Sequence, residues 1–252
     1  MQLQPLMLIT FMKMNKRNII FNFKSKNVLV VGGSKGIGKE VCKQFINSGA
    51  NVYNASRSNC LLEGVINIKC DISKDEDIKN LFKQINDLDF CINVAGTNLC
   101  EKIENINSQE WDRVLNINLK SFYMICKNAI QIMKKKKGGR IVNVSSIAGR
   151  SKSLVSGIHY TSSKYGVIGL TKQLSNEVSK YNILVNCLCP SQTKTEMLND
   201  SMNKSQLNNL LSSIPINRIA ETEEQALPIL FLCSDAASYI SGATLDVNGG
   251  QF

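Results

Sequence analysis

The chain of 252 residues has a single histidine, His159, and cannot build a histidine metal site. Its nine cysteines are odd in number and include no Cys-x-x-Cys pair. Several sit inside apolar, strand-like runs. No zinc site or disulfide framework is expected; reduced, buried thiols of a cytosolic-type compartment fit the pattern. No apolar run reaches the roughly 18–20 residues that span a bilayer, so no membrane span is expected. No internal repeat, low-complexity tract or linker divides the chain. With 43% hydrophobic and 20% charged residues, it has the composition of one globular α/β domain.

No acidic residue precedes Glu40. Residues 1–20 read as a tail ahead of a domain over 21–252. The tail is basic and has a mostly apolar stretch from Pro5 to Met12, which suits a targeting segment. Yet nothing basic precedes that stretch and no small-residue cleavage site follows it. Met7, Met12 and Met14 are alternative starts, so an over-extended start fits equally well. A cytoplasmic protein is expected, with organellar import through the tail left open.

The formal net charge is +10. It reflects either a compositional lean toward Lys and Asn or an acidic partner: nucleic acid, a phosphorylated ligand or an acidic carrier protein. The one dense basic run is Lys134-Lys135-Lys136-Lys137. No zinc-finger, helix-turn-helix or aromatic RNA-binding motif accompanies it, so nucleic acid is not expected.

Val28-Leu29-Val30-Val31 is a continuous apolar run that suits a buried parallel strand. It leads into Gly32-Gly33-Ser34-Lys35-Gly36-Ile37-Gly38, and a helix over 39–48 follows. A glycine turn between strand and helix lets backbone N–H groups and the helix N-terminus face a phosphate. Gly33 to Lys39 also fits G-x-x-x-x-G-K, but a nucleotide triphosphatase loop needs Ser or Thr next, and the residue is Glu40. A second strand over 51–55 ends at Ser56-Arg57. An acid there would hold a ribose 2′-hydroxyl, whereas an Arg accommodates a 2′-phosphate. Arg57, with Lys35 in the turn, favours NADP(H).

Further strands are expected over 65–70, 89–94, 140–144, 183–189 and 243–247. Helices are expected over 74–85, over 108–137 with Ser108 as cap and a break near Asn118, and over 222–234. A polar helical stretch over 196–213 reads as a solvated helix or a mobile lid. The alternation gives the fold class: α/β, one doubly wound, parallel, seven-stranded sheet.

Tyr160 and Lys164 are four apart on a helix running to about 180, so they share a face. A free Tyr has a pKa of about 10, and a neighbouring ammonium favours the phenolate. Such a phenol can protonate a carbonyl oxygen or take a proton from an alcohol near neutral pH. Ser146, at the end of the fifth strand, can hold the same oxygen. Alone, Tyr-x-x-x-Lys is a chance-level pattern.

The joint, ordered occurrence of Gly32-x-x-x-Gly36-Ile37-Gly38, Asp71-Ile72, Asn93-Val94-Ala95-Gly96, Asn118, Ser146, Tyr160-x-x-x-Lys164, Asn186 with Pro190, and Ser241-Gly242 with Asn248-Gly249-Gly250 resembles the single-domain short-chain dehydrogenases/reductases over about residues 24–252. The resemblance implies a Rossmann fold and the following roles. Gly32, Ser34, Lys35, Gly36, Ile37 and Gly38 cradle the pyrophosphate and the adenosine ribose phosphate, with Ser56 and Arg57 beside it. Asp71 and Ile72 meet the adenine, and Asn93, Ala95 and Gly96 line the ribose side. Pro190, Thr193 and Thr195 hold the nicotinamide amide. Tyr160 is the general acid, and Lys164 lowers its pKa and holds the nicotinamide ribose. Ser146 orients the substrate oxygen, and Asn118 interrupts its helix and supports a proton-refilling water chain. No metal is implied.

Three positions depart from the family pattern. Val31 replaces a Thr that braces the turn, Val94 replaces an Asn, and Ser191 replaces the glycine after the proline. The size and the short second-to-third-strand segment are most similar to 3-oxoacyl-(acyl-carrier-protein) reductases. That subgroup implies an NADPH-dependent reduction of a ketone, borne by an acidic carrier that docks on basic residues near the pocket. Lys136 and Lys137 match one such site, and Lys180 with Tyr181 is a weaker match to a second. It also implies a homotetramer or homodimer packed through the helices over 108–137 and 158–180. The alternatives are a small-molecule ketone or alcohol, such as a sugar or polyketide precursor, and a non-catalytic NADP-binding sensor.

Overall fold

The computed structural model describes residues 21–153, 155–196 and 211–251. The tail expected over 1–20 and all but the ends of the lid expected over 196–213 lie outside the described residues.

Seven strands form one parallel sheet: β1 (Asn27–Val31), β2 (Asn51–Ser56), β3 (Val65–Lys69), β4 (Phe90–Asn93), β5 (Gly139–Val144), β6 (Ile183–Pro190) and β7 (Thr244–Val247). Their order is β3-β2-β1-β4-β5-β6-β7. The chain starts in the middle, winds out to β3, then returns to place β4 beside β1. This reversal opens a crevice at the C-terminal ends of β1 and β4, where ligands bind in such sheets.

Successive side chains of a strand point to opposite faces, so a strand covered on both sides is apolar throughout. In β1, Leu29 and Val31 pack with α2 (Asp75–Lys83) and α4 (Ser121–Lys136) on one face. Val28 and Val30 pack with α1 (Gly36–Asn47) and α6 (Thr222–Cys233) on the other. All four are fully buried, and each contributes about 1.5–3 kcal/mol of apolar burial.

The long helix expected over 108–137 is divided into three. Asn107 is its cap, not Ser108: the Asn107 side chain accepts from the Glu110 N–H at 2.8 Å, and Ser108 opens α3 (Ser108–Leu115). A π-helical turn, Asn116–Lys120, supplies the expected break and leads into α4. The helix stops at Lys137, which takes a left-handed backbone (φ 62°). Gly139 is the first residue of β5. A Cβ there would lie 2.5 Å from the Met133 sulfur, so the close approach of helix to strand needs glycine. The remaining long helix, α5, spans Ile158–Val178.

No helix covers the passage from β2 to β3. Residues 57–64 make a parallel crossover that ordinarily takes a dozen or more residues and a helix.

Candidate active site

A cavity of about 600 Å³ opens at the C-terminal ends of the strands. The glycine turn forms its floor. Gly32 has φ +92°, and a Cβ on it would sit 2.7 Å from the Ala95 nitrogen. A Cβ on Gly38 would land 2.1 Å from the Gly32 carbonyl oxygen. Only bare backbone fits there, so the start of α1 is drawn up to the cavity. Lys35, the cap of α1, offers no side-chain acceptor, and the first turn carries no acid. The leading amides of α1 therefore face the cavity with their partial positive charge uncompensated, which suits a phosphate. At Val31, where the family pattern has Thr, backbone bonds hold the entry to the turn. The Val31 carbonyl accepts from Val94 and Ala95 at 3.0 and 2.9 Å, and the Gly32 N–H donates to the Ala55 carbonyl at 2.9 Å.

Arg57 and Ser56 stand at the end of β2, on the cavity rim with Lys35. The Ser56 hydroxyl is already committed, donating to the Ser58 carbonyl and accepting from Asn54 at 2.9 Å. Asp71 and Ile72 line the same cavity. Hydrogen bonds from Ser73, its hydroxyl foremost, hold the Asp71 carboxyl below the ordinary carboxylate range. Ser34, Gly36, Ile37, Ala95, Gly96, Pro190, Thr193 and Thr195 also line the cavity. The methyl of Thr195 would lie 3.2 Å from a Cβ on Gly36, so the segment after β6 folds back over the glycine turn. These residues fit a nicotinamide dinucleotide.

Asn93 does not line the ribose side. Strand alternation turns it inward, fully buried, where it donates to Asn143 at 2.8 Å; Asn143 in turn donates to Thr171 at 3.0 Å. Asn118 also lies behind the wall. Its amide oxygen accepts from the Thr97 N–H at 2.9 Å, and its NH₂ group donates to the Thr97 carbonyl at 2.9 Å and to Ser163 at 3.2 Å. It clamps the strip Gly96-Thr97, which forms part of the wall.

Ser146, Tyr160 and Lys164 come together. The end of β5 delivers Ser146 in extended backbone, its hydroxyl accepting from the Ala148 N–H at 3.1 Å. Tyr160 sits in the first turn of α5, with its phenol near enough to the Ser146 hydroxyl to be influenced by it. Lys164, one turn on, is 3% exposed; its Nζ donates to the Val144 carbonyl at 3.0 Å and lies 5.5 Å from the Tyr160 ring centre. Burial pushes the Lys164 amine down to about 8. The Tyr160 phenol is raised, not lowered as the motif implies. Burial dominates, with the Ser146 hydroxyl opposing it. The ammonium is itself desolvated and bound to a carbonyl, so it does not outweigh the phenol's own desolvation.

Other cavity residues were not foreseen. Arg113 and Ile117 are four apart on the helix and share the face that meets the cavity. Arg113 is held by a two-pronged ion pair to Glu110 at 2.7 Å. Thr97 and Asn98 follow the Asn-Val-Ala-Gly segment into the wall. His159, beside Tyr160, is fully buried. Among the described residues no His/Cys/Asp/Glu group is placed to hold a metal, and no helix is long and apolar enough to cross a membrane.

The expected carrier sites do not lie at the cavity. Lys136 is engaged by Asp87 and Asp89 at 2.8 and 2.9 Å. Lys134 and Lys180 bracket the Tyr181 ring at 4.3 and 5.4 Å. These residues gather where α4 and α5 end, at the N-terminal end of the strands. At about 1.5 Å per residue, α5 alone separates them from Tyr160 by roughly 27 Å.

A phosphate-cradling turn and an acid–base hydroxyl pair facing one cavity define an NAD(P)-dependent oxidoreductase acting on CH–OH groups. The model of a family described as enoyl-(acyl carrier protein) reductase matches residues 31–251. The 3-oxoacyl-(acyl-carrier-protein) reductase of Buchnera aphidicola subsp. Acyrthosiphon pisum is 35% identical over 243 residues, covering 92% of this chain and 99% of that protein. The crystal structure of the reductase of the same name from Brucella melitensis matches with a TM-score of 0.84 at 28% identity, over 90% of this chain and 91% of that one. A structure described as an NAD(P)-dependent gluconate 5-dehydrogenase from Beutenbergia cavernae, with bound NADP, matches with a TM-score of 0.86 at 26% identity, over 92% and 98%. The chain belongs to the short-chain dehydrogenase/reductase family.

Proposed function

We propose that the protein reduces the ketone of a 3-oxoacyl group borne on an acyl carrier protein, with NADPH as reductant, as a step of fatty-acid synthesis. The observation that carries the chemistry is the Ser146–Tyr160 hydroxyl pair, backed by Lys164 and facing the cavity. The substrate class rests on the names of the curated relatives, and the cofactor on Arg57 and Lys35 at the adenosine ribose end.

Ser146 donates a hydrogen bond to the substrate ketone and fixes its oxygen beside Tyr160. When bound, NADPH supplies the hydride that reaches the carbonyl carbon. Tyr160 gives its phenolic proton to the oxygen as negative charge develops there. Lys164, an ammonium below its pKa of about 8, stabilises the phenolate left behind and offers a donor to the nicotinamide ribose. Asn118 holds the wall strip that frames this group.

The exposed aromatics Trp111, Tyr123 and Tyr165 on α3, α4 and α5 support assembly through these helices into a homodimer or homotetramer. A cytoplasmic location fits this reading. The fit to the gluconate 5-dehydrogenase structure favours a sugar alcohol or ketone as the second substrate class. NADPH consumption with short 3-oxoacyl thioesters, set against a panel of sugars and simple ketones, decides between them. Turnover of the thioesters is expected; turnover of sugars alone would replace the first reading with the second.

A further inference from the structure

The helix missing between β2 and β3 raises a question of positioning. Arg57 and Ser58 follow β2 directly and line the cavity, but no helix behind them anchors the loop. Something else must hold the guanidinium in place. The loop is tied instead at Cys60. Its N–H donates to the Asn67 side-chain oxygen at 2.8 Å, and its carbonyl accepts from the Asn67 NH₂ group at 3.1 Å. Asn67, on edge strand β3, thus grips the loop backbone with both ends of one amide.

The same amide oxygen accepts from Asn54 of β2 at 2.8 Å, and Asn54 also donates to the Ser56 hydroxyl at 2.9 Å. Ser56 in turn donates to the Ser58 carbonyl. The short segment Arg57-Ser58-Asn59 is therefore fixed at both ends by one polar chain, Asn67–Asn54–Ser56. The Cys60 side chain is buried and meets the thiol of Cys42 on α1, the helix that opens the glycine turn. The loop is thus registered against both β3 and α1.

We propose that Asn67 is a specificity-determining positioning residue. It holds Arg57 where a 2′-phosphate of adenosine would meet it, doing the work of the absent helix. The inference rests on the reading of Arg57 as the 2′-phosphate group's partner. Asn67 is itself exposed on an edge strand, so removing its side chain opens no core cavity.

The test measures affinity rather than turnover. Calorimetric titration of the full chain with adenosine 2′,5′-bisphosphate and with adenosine 5′-monophosphate compares wild type, Asn67→Ala, Arg57→Ala and the double variant. Asn67→Ala should weaken the bisphosphate by roughly three- to tenfold, the value of one or two net hydrogen bonds, and leave the monophosphate unchanged. In the Arg57→Ala background the second substitution should add nothing, since the two act through one contact. A silent Asn67→Ala, an equal loss for both ligands, or additivity in the double variant would overturn the inference while leaving Arg57's role standing. An Arg57→Ala chain with unaltered discrimination would instead overturn the reading of Arg57, and the inference with it.

Discussion

The Nζ of Lys164 donates to the carbonyl oxygen of Val144 at 3.0 Å, beneath the Tyr160 ring and almost shut off from water. Burial lowers this amine to about 8 from an ordinary 10.5. Between those values the unfolded chain binds the proton and the folded chain does not. Stability therefore rises with pH across that window, and below it the fold carries the full cost of a buried charge, on the order of 3 kcal/mol. Lys164→Met removes that cost but orphans the Val144 carbonyl, worth about 1–3 kcal/mol. The two effects nearly cancel at neutral pH. The variant should melt within a few degrees of wild type near pH 7, be inactive, and fall behind wild type as the pH is raised toward 10. A gap that closed with rising pH would contradict the burial argument.

Tyr160→Phe removes the proton donor proposed for the substrate oxygen. Turnover should drop by about 10²–10⁴-fold, the usual worth of a general acid. Cofactor affinity, read by fluorescence titration, should stay near wild type. Because burial raises the phenol, wild-type reduction should hold its acid form through neutral pH and decline only on the alkaline side. Survival of turnover in the phenylalanine variant would remove Tyr160 from the mechanism.

The sheet was legible because its strands are buried on both faces, and continuous runs such as Val28-Leu29-Val30-Val31 have few other readings. The meeting of Tyr160 and Lys164 was legible because one helical turn separates them. What the chain did not reveal depends on packing. Asn93 stands in the expected segment, yet the pleat turns it into the core toward Asn143. The direction of the Tyr160 shift depends on how deeply its ring sits, which spacing does not encode. The distance of the lysine run from the cavity was not legible, because position in the sequence does not say which end of the sheet a helix reaches. Lys136 pairs there with Asp87 and Asp89.

Gly38→Ala tests the cradle. The added methyl would lie 2.1 Å from the Gly32 carbonyl oxygen, a backbone atom with no freedom to rotate aside. The turn must open, carrying the α1 amides away from the phosphate. Affinity for NADPH and NADH should fall together by at least tenfold, and the melting temperature should drop as β1 and α1 separate. Unchanged dinucleotide affinity, measured at a temperature where the variant is folded, would show that the turn is not the phosphate site.

Asn118→Ala separates a clamp from a proton relay. In the structure the Asn118 side chain satisfies both the N–H and the carbonyl of Thr97 and reaches Ser163. Gly96 lies between it and the active-site lysine: a Cβ there would be 3.4 Å from the Asn118 oxygen and 3.6 Å from the Lys164 Nζ. Truncation takes the side-chain partner from two part-buried backbone groups, at up to about 1–3 kcal/mol each where water does not replace it. The wall strip then loses its fixed position against Lys164. A clamp predicts a lower melting temperature, weaker dinucleotide binding and reduced kcat together, because Gly96 and Thr97 line the cavity. A pure relay predicts a fall in kcat alone, with binding and melting at wild-type levels. The hydrogen-bond geometry favours the first outcome, and measuring all three quantities on one preparation distinguishes it from the second.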